Sequence, residues 1–154
     1  MIRELLQNPI FVGPAAGWFV AQILKIIIEV AVQGKDFHWS RIAGSGGMPS
    51  SHSATVCALV VVTAARYGFS GFELPMAFFF AFIVIYDARG VRRETGEQAK
   101  AINAMIEWFE GRGTDIPGPD QFKELIGHSP LQVAVGSVLG IIIGLVISGV
   151  YGLL

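Results

Sequence analysis

Ser129-Pro-Leu-Gln-Val-Ala-Val-Gly-Ser-Val-Leu-Gly-Ile-Ile-Ile-Gly-Leu-Val-Ile-Ser-Gly-Val-Tyr-Gly-Leu-Leu154 closes the chain without a single charged side chain. A bilayer core of ~30 Å needs about 20 apolar residues in helical form, and this stretch exceeds that length. Ser129 reads as an N-cap and Pro130 as the first helical position. The same pattern repeats upstream. Residues 5–34 carry only Lys25 and Glu29, and residues 42–86 carry only Arg66 and Glu73. Between Asp87 and Glu124, by contrast, lie 14 of the 23 charged side chains. A soluble helical domain distributes polar residues along every helix. Long uncharged blocks set apart by one charged block instead predict an integral membrane protein.

The composition agrees. The 154 residues are 53% hydrophobic and 15% charged, against about 25% charged in soluble domains, with a mean hydropathy of +0.58. This hydrophobicity with a net charge of only −1 rules out a disordered chain, and the lack of a basic excess disfavours a nucleic-acid binder. The single cysteine, Cys57, allows neither an intrachain disulfide nor a cysteine zinc cluster.

The expected fold is all-α, a polytopic bundle in a single integral membrane domain. Transmembrane helices are expected at about 10–33, 52–69, 71–88 and 130–151, with a charged amphipathic helix at about 91–110 and a loop at 111–128. The first helix is too long, and too charged at Lys25 and Glu29, to be a cleavable signal peptide. Four spans put both termini on one side with Arg3 and Arg66. The other side holds Lys35, Arg41, Arg89, Arg92, Arg93, Lys100, Arg112 and Lys123. That bias predicts a plasma-membrane protein whose charged side is cytoplasmic and whose termini are outside.

Polar residues within the spans are the candidate functional groups. Trp18, Gln22, Lys25 and Glu29 recur at helical spacing and are expected on one interior face. Lys25 and Glu29 then form either a self-neutralising pair or, through Lys25, an anion site. Gly44-Ser-Gly-Gly-Met-Pro-Ser-Ser-His52-Ser-Ala combines a glycine loop with a helix start at Pro49, Ser50 and Ser51. Its backbone N–H groups either are simply capped or form an anion site with His52 in the first turn. Asp87, Arg92 and Arg93 sit beside the membrane, where arginines serve headgroups generally or clamp a phosphate. The stripe Gln132, Gly136, Gly140, Gly144, Ser148 permits close helix approach, within the chain or with a second copy. His128 heads it. No spacing supports a metal centre, and none is expected.

In this topology His52, Asp87, Arg92, Arg93 and His128 share one membrane depth. Two histidines, cations and helix N-termini suit phosphate chemistry: one imidazole attacks phosphorus, the other protonates the leaving oxygen, and cations hold the equatorial oxygens.

Gly46-Gly-Met-Pro-Ser-Ser-His-Ser-Ala54, Tyr86-Asp-Ala-Arg-Gly-Val-Arg-Arg93 and Lys123-Glu-Leu-Ile-Gly-His-Ser-Pro130 resemble a divergent branch of the type 2 phosphatidic acid phosphatases, a branch also described as acid phosphatase or vanadium-dependent haloperoxidase related. The resemblance covers about residues 20–145. It implies metal-free, cofactor-free hydrolysis of a phosphorylated lipid through a phosphohistidine. His128 then matches the nucleophile and His52 the general acid. Asp87 and Gln132 would orient, while Lys25, Arg41, Ser50, Ser51, Arg92, Arg93 and Lys123 would bind phosphate. The parent superfamily's motifs run K-x6-R-P, then P-S-G-H, then S-R-x5-H-x3-D, and Lys25 or Lys35, with Arg41, stands in for the first of them. Ser51 replaces the signature glycine, Phe122 the third-motif arginine, and Gln132 the aspartate that orients the nucleophile. The last change leaves a second reading open, a non-catalytic binder or transporter of an anionic lipid headgroup.

Overall fold

The computed structural model describes residues 2–32, 47–113, 122 and 128–154. A short helix α1 (Ile2–Leu6) precedes α2 (Pro9–Ile27), which runs into a π-helical turn over Ile28–Val32. Then follow α3 (Ser51–Tyr67), α4 (Glu73–Arg89), α5 (Val91–Glu110) and α6 (Pro130–Val150). No strand occurs among the described residues. The helices start where side chains satisfy their first N–H groups. Asn8 accepts from Ile10 N at 3.0 Å, and Ser50 and Ser129 cap α3 and α6. Gly68 ends α3 at φ +73°, a conformation that a side chain would strain.

The bundle is inverted relative to a soluble domain. Ala21, Ala54, Ala58, Ala77, Ala81 and Ala88 are buried, while Phe78, Phe82, Ile142 and Val146 are exposed. In hydrocarbon, large apolar side chains are at ease outside, and small ones let backbones meet. Pro9–Ile27, Pro130–Val150 and the run Glu73–Glu110 are long and apolar enough to cross a bilayer. The chain is an integral membrane protein. Helix α3, with 17 residues, spans about 25 Å at 1.5 Å per residue and lies between α2, α4 and α6.

Glycine contacts fix the directions. On α2, Gly13 faces Val62 and Gly17 faces the Ala54 carbonyl, so α2 and α3 are antiparallel. On α6, Gly136 meets the Ser50 carbonyl, Gly140 the Ala54 carbonyl, and Gly144 Val61 and the Ala58 carbonyl, so α6 runs parallel to α3. This packing takes up, inside the chain, the face that Gly136, Gly140 and Gly144 offer to a second copy. At one end, Tyr151 OH donates to the Leu6 carbonyl at 3.0 Å and joins the two termini. The N-termini of α3 and α6 lie at the other end.

A side chain at Gly140 would strike the Ala54 backbone, which cannot rotate away as a side chain could. Gly140→Val is therefore expected to exceed the ~1–3 kcal/mol of ordinary overpacking. Thermal unfolding in detergent should show a much lower midpoint than for wild type. Gly149→Ala, which opens onto unoccupied space, should leave the midpoint unchanged.

Candidate functional site

Two helix N-termini, side by side and pointing the same way, build the site. Ser50 N–H donates to the Gln132 carbonyl at 3.1 Å, tying the start of α3 to the first turn of α6. Each N-terminus carries roughly half a positive charge. Placed together these ends repel, and an anion between them relieves the repulsion.

Ser50 Oγ accepts from Ser53 N at 3.3 Å and from Ser53 Oγ at 3.0 Å. Its own hydroxyl hydrogen is what it can still offer a ligand. The Ser51 carbonyl accepts from Thr55 Oγ1 at 2.7 Å. Both serines are buried. His52, half-buried, occupies the first turn of α3, and its ring centroid lies 5.9 Å from that of His128 in an edge-on arrangement. The two imidazoles, 76 positions apart in the chain (128 − 52), thus stand together.

His128 is 2% exposed and is held through both its backbone and its ring. Its N–H donates to the Ala88 carbonyl at 3.1 Å, which brings the end of α4 to the site. Its Nδ1 lies 3.2 Å from Gln132 Oε1, which also accepts from Ser129 N–H at 3.0 Å. Ser129 Oγ accepts from Gln132 N at 3.3 Å, completing a capping box. An amide oxygen can only accept, so this contact keeps the proton on Nδ1. Nε2, which is buried, is then the nitrogen with the lone pair. A capping device thereby sets the tautomer of the histidine beside it.

Asp87 is half-buried in the last turn of α4, adjacent to the Ala88 carbonyl that receives the His128 N–H. Lys25 is 1% exposed and Gln22 6%. From Gly17, opposite Ala54, eight residues carry Lys25 about 12 Å along α2, just past the start of α3. Side chains lean toward their helix N-terminus, so the Lys25 stem returns toward the level of Ser50. Gln22 lies at that level too. Trp18, expected on the same interior face, is instead 43% exposed. Gly17 and Ala21 supply the small surface that α3 needs, and the indole turns to the outside. Glu29 falls within the π-helical turn, and its side chain lies outside the described residues.

Arg92 and Arg93 belong to the first turn of α5 at the histidine end, and their side chains lie outside the described residues. So do Lys35, Arg41 and Lys123. No group of three His, Cys, Asp or Glu is gathered for a metal among the described residues.

One contact was not anticipated. Asn103, buried on α5, donates through Nδ2 to the Phe122 carbonyl at 2.9 Å and accepts through Oδ1 from Phe122 N–H at 2.8 Å. A side-chain amide thus pairs with a backbone as a second strand would. Its signal in the sequence is a lone amide within the stripe Gly96, Ala99, Asn103, which is buried here.

Comparison with known proteins adds two findings. The family model described as "Divergent PAP2 family" matches residues 6–143. A relative described as "Uncharacterized membrane protein YuiD", from Bacillus subtilis (strain 168), is 37% identical over 94% of this chain and 97% of its own length. No solved structure matches.

Proposed function

The chain belongs to the divergent PAP2 family, and we propose that it is a membrane-embedded, metal-independent phosphatase acting on a phosphorylated lipid. The observation that carries this reading is the meeting of His52 and His128 at the paired N-termini of α3 and α6. In the proposed reaction His128 Nε2 attacks phosphorus and forms an N–P bond. The P–O bond to the lipid breaks as the His52 imidazolium gives its proton to the departing oxygen. Water then attacks the phosphohistidine, gives a proton back to His52 and releases inorganic phosphate. The two N-termini, the serine hydroxyls, Lys25, Arg41, Arg92, Arg93 and Lys123 would share the charge on the equatorial oxygens. Asp87 and Gln132 would hold the imidazoles. A lipid is the favoured substrate because the pair lies at the end of an apolar bundle, where headgroups lie. The excess of lysine and arginine in the segments that the sequence assigns to this side supports a cytoplasmic site in a plasma membrane, with both termini outside.

Phosphate release from phosphatidate in mixed micelles by the purified chain tests the proposal. Release by wild type that falls away in His128→Asn supports it, and equal release removes His128 from the reaction.

Gln132 favours a second reading. A neutral amide orients an imidazole but does not offset the charge that nucleophilic attack creates on it, and a pure binding site has no need of that compensation. On this reading the chain binds or carries an anionic headgroup. Anionic lipid would then co-purify without turnover, and would be lost in Arg92→Ala but retained in His128→Ala.

A further inference from the structure

Farther along the bundle from the histidines, α3, α4 and α6 line an open apolar groove of about 710 Å³. Val60 and Ala64 of α3, Leu74 and Phe78 of α4, and Leu145 of α6 form its walls, and Phe69 and Leu154 line its far end. No lining residue is charged. It lies along the seam between α4 and α6, the same two segments that the His128 N–H to Ala88 carbonyl bond joins at the opposite end of the bundle. A ligand lying along that seam with its phosphate at His128 would direct its chain toward the groove.

Depth identifies what fits. Val60 and Ala65 are 8 and 13 residues beyond His52 (60 − 52 and 65 − 52) on the continuous helix α3, or about 12 and 20 Å at 1.5 Å per residue. Half of a ~30 Å hydrocarbon core is ~15 Å. A chain whose headgroup rests at the histidines thus enters the groove near the bilayer midplane and fills it only by continuing into the opposite leaflet.

We infer that this groove holds the distal part of the hydrocarbon chain of the phosphorylated ligand, and that it selects chains longer than one leaflet is thick. The inference rests on the histidine end being a phosphate site, but not on turnover there. Hydrocarbon gains nothing by leaving lipid for an equally apolar wall, so the selection comes from packing alone and its effect is several-fold.

Alkyl phosphates carrying a terminal diazirine, one too short to reach Val60 and one long enough to pass Ala65, would test it with the full chain in nanodiscs. The long phosphate is expected to label Phe78, Phe79 or Leu145 several-fold more than an alkyl alcohol of equal length, and the short phosphate should leave those positions unlabelled. Ala64→Phe, which fills the groove, should remove the advantage of the long chain and leave short-chain binding unchanged. Labelling in wild type does not depend on that variant folding. Equal labelling by the alcohol would overturn the inference, as would adducts on the exposed Phe82, Ile83 and Ile142 in place of the groove. Phosphate release is measured separately. Groove labelling that persists in a chain releasing no phosphate refutes the phosphatase reading and leaves the groove intact.

Discussion

Asparagine in place of His128 is expected to lower kcat for phosphate release by roughly 10⁴–10⁶-fold, the range seen when a covalent nucleophile is removed. The size follows from the role. Nε2 is the atom that would bond to phosphorus, and asparagine offers no comparable lone pair. The fold should tolerate the change, because the His128 N–H that binds the Ala88 carbonyl belongs to the backbone. The asparagine amide can also still donate to Gln132 Oε1, as Nδ1 does now. Ligand binding should therefore persist, since the helix N-termini and cations remain. His52→Asn removes a proton donor rather than a nucleophile, and general acid catalysis contributes about 10²–10⁴-fold. The two variants should differ in kind as well as in size. His52→Asn should regain rate on substrates whose leaving group departs without a proton, such as a nitrophenyl phosphate, whereas His128→Asn should not. Equal rescue of both would mean that the roles have been assigned the wrong way round.

Much of this architecture is readable from the chain because charge and hydrophobicity are segregated along it. Uncharged blocks marked the long helices, and Ser-Pro at 129–130 with Ser50 marked two of their starts. The interior was harder to read. A polar stripe on α2 identifies Gln22 and Lys25 as inward-facing, but periodicity alone could not tell that Trp18, at its edge, turns out. The deciding factor is the partner helix, whose Ala54 carbonyl approaches Gly17 too closely for a bulky neighbour. The parallel pairing of α3 and α6 is likewise invisible in either sequence alone. It emerges when the Gly136 and Gly140 stripe is set against the Ser50 and Ala54 backbone. The histidines were recognisable as motifs, yet their 5.9 Å separation depends on that pairing. Asn103 escaped notice because its partner is a backbone group 19 positions away, and no side-chain pattern records such a contact.

Glutamate in place of Gln132 is expected to raise kcat by about five- to tenfold. Gln132 already occupies the capping-box position at which glutamate is equally favoured, so Oε1 can keep its contacts with Ser129 N–H and His128 Nδ1. What changes is charge. A hydrogen bond to a charged group contributes about 1.5–3 kcal/mol against about 0.5–1.5 for a neutral one. The surplus of about 1 kcal/mol or more acts mainly when the ring becomes cationic on attack, and each 1.36 kcal/mol is tenfold in rate. Against this stands the cost of placing a carboxylate in a half-buried position. The first turn of α6 reduces that cost, because the helix N-terminus favours negative charge. The pH dependence gives a second, independent sign. A carboxylate beside Nδ1 favours the protonated ring and raises the His128 pKa, while attack requires Nε2 unprotonated. The acidic limb of the kcat/KM profile should therefore move to higher pH as the plateau rises. If the chain only binds an anionic headgroup, the same substitution adds negative charge beside the ligand. It then weakens binding and creates no turnover, so one variant separates the two readings by the direction of its effect.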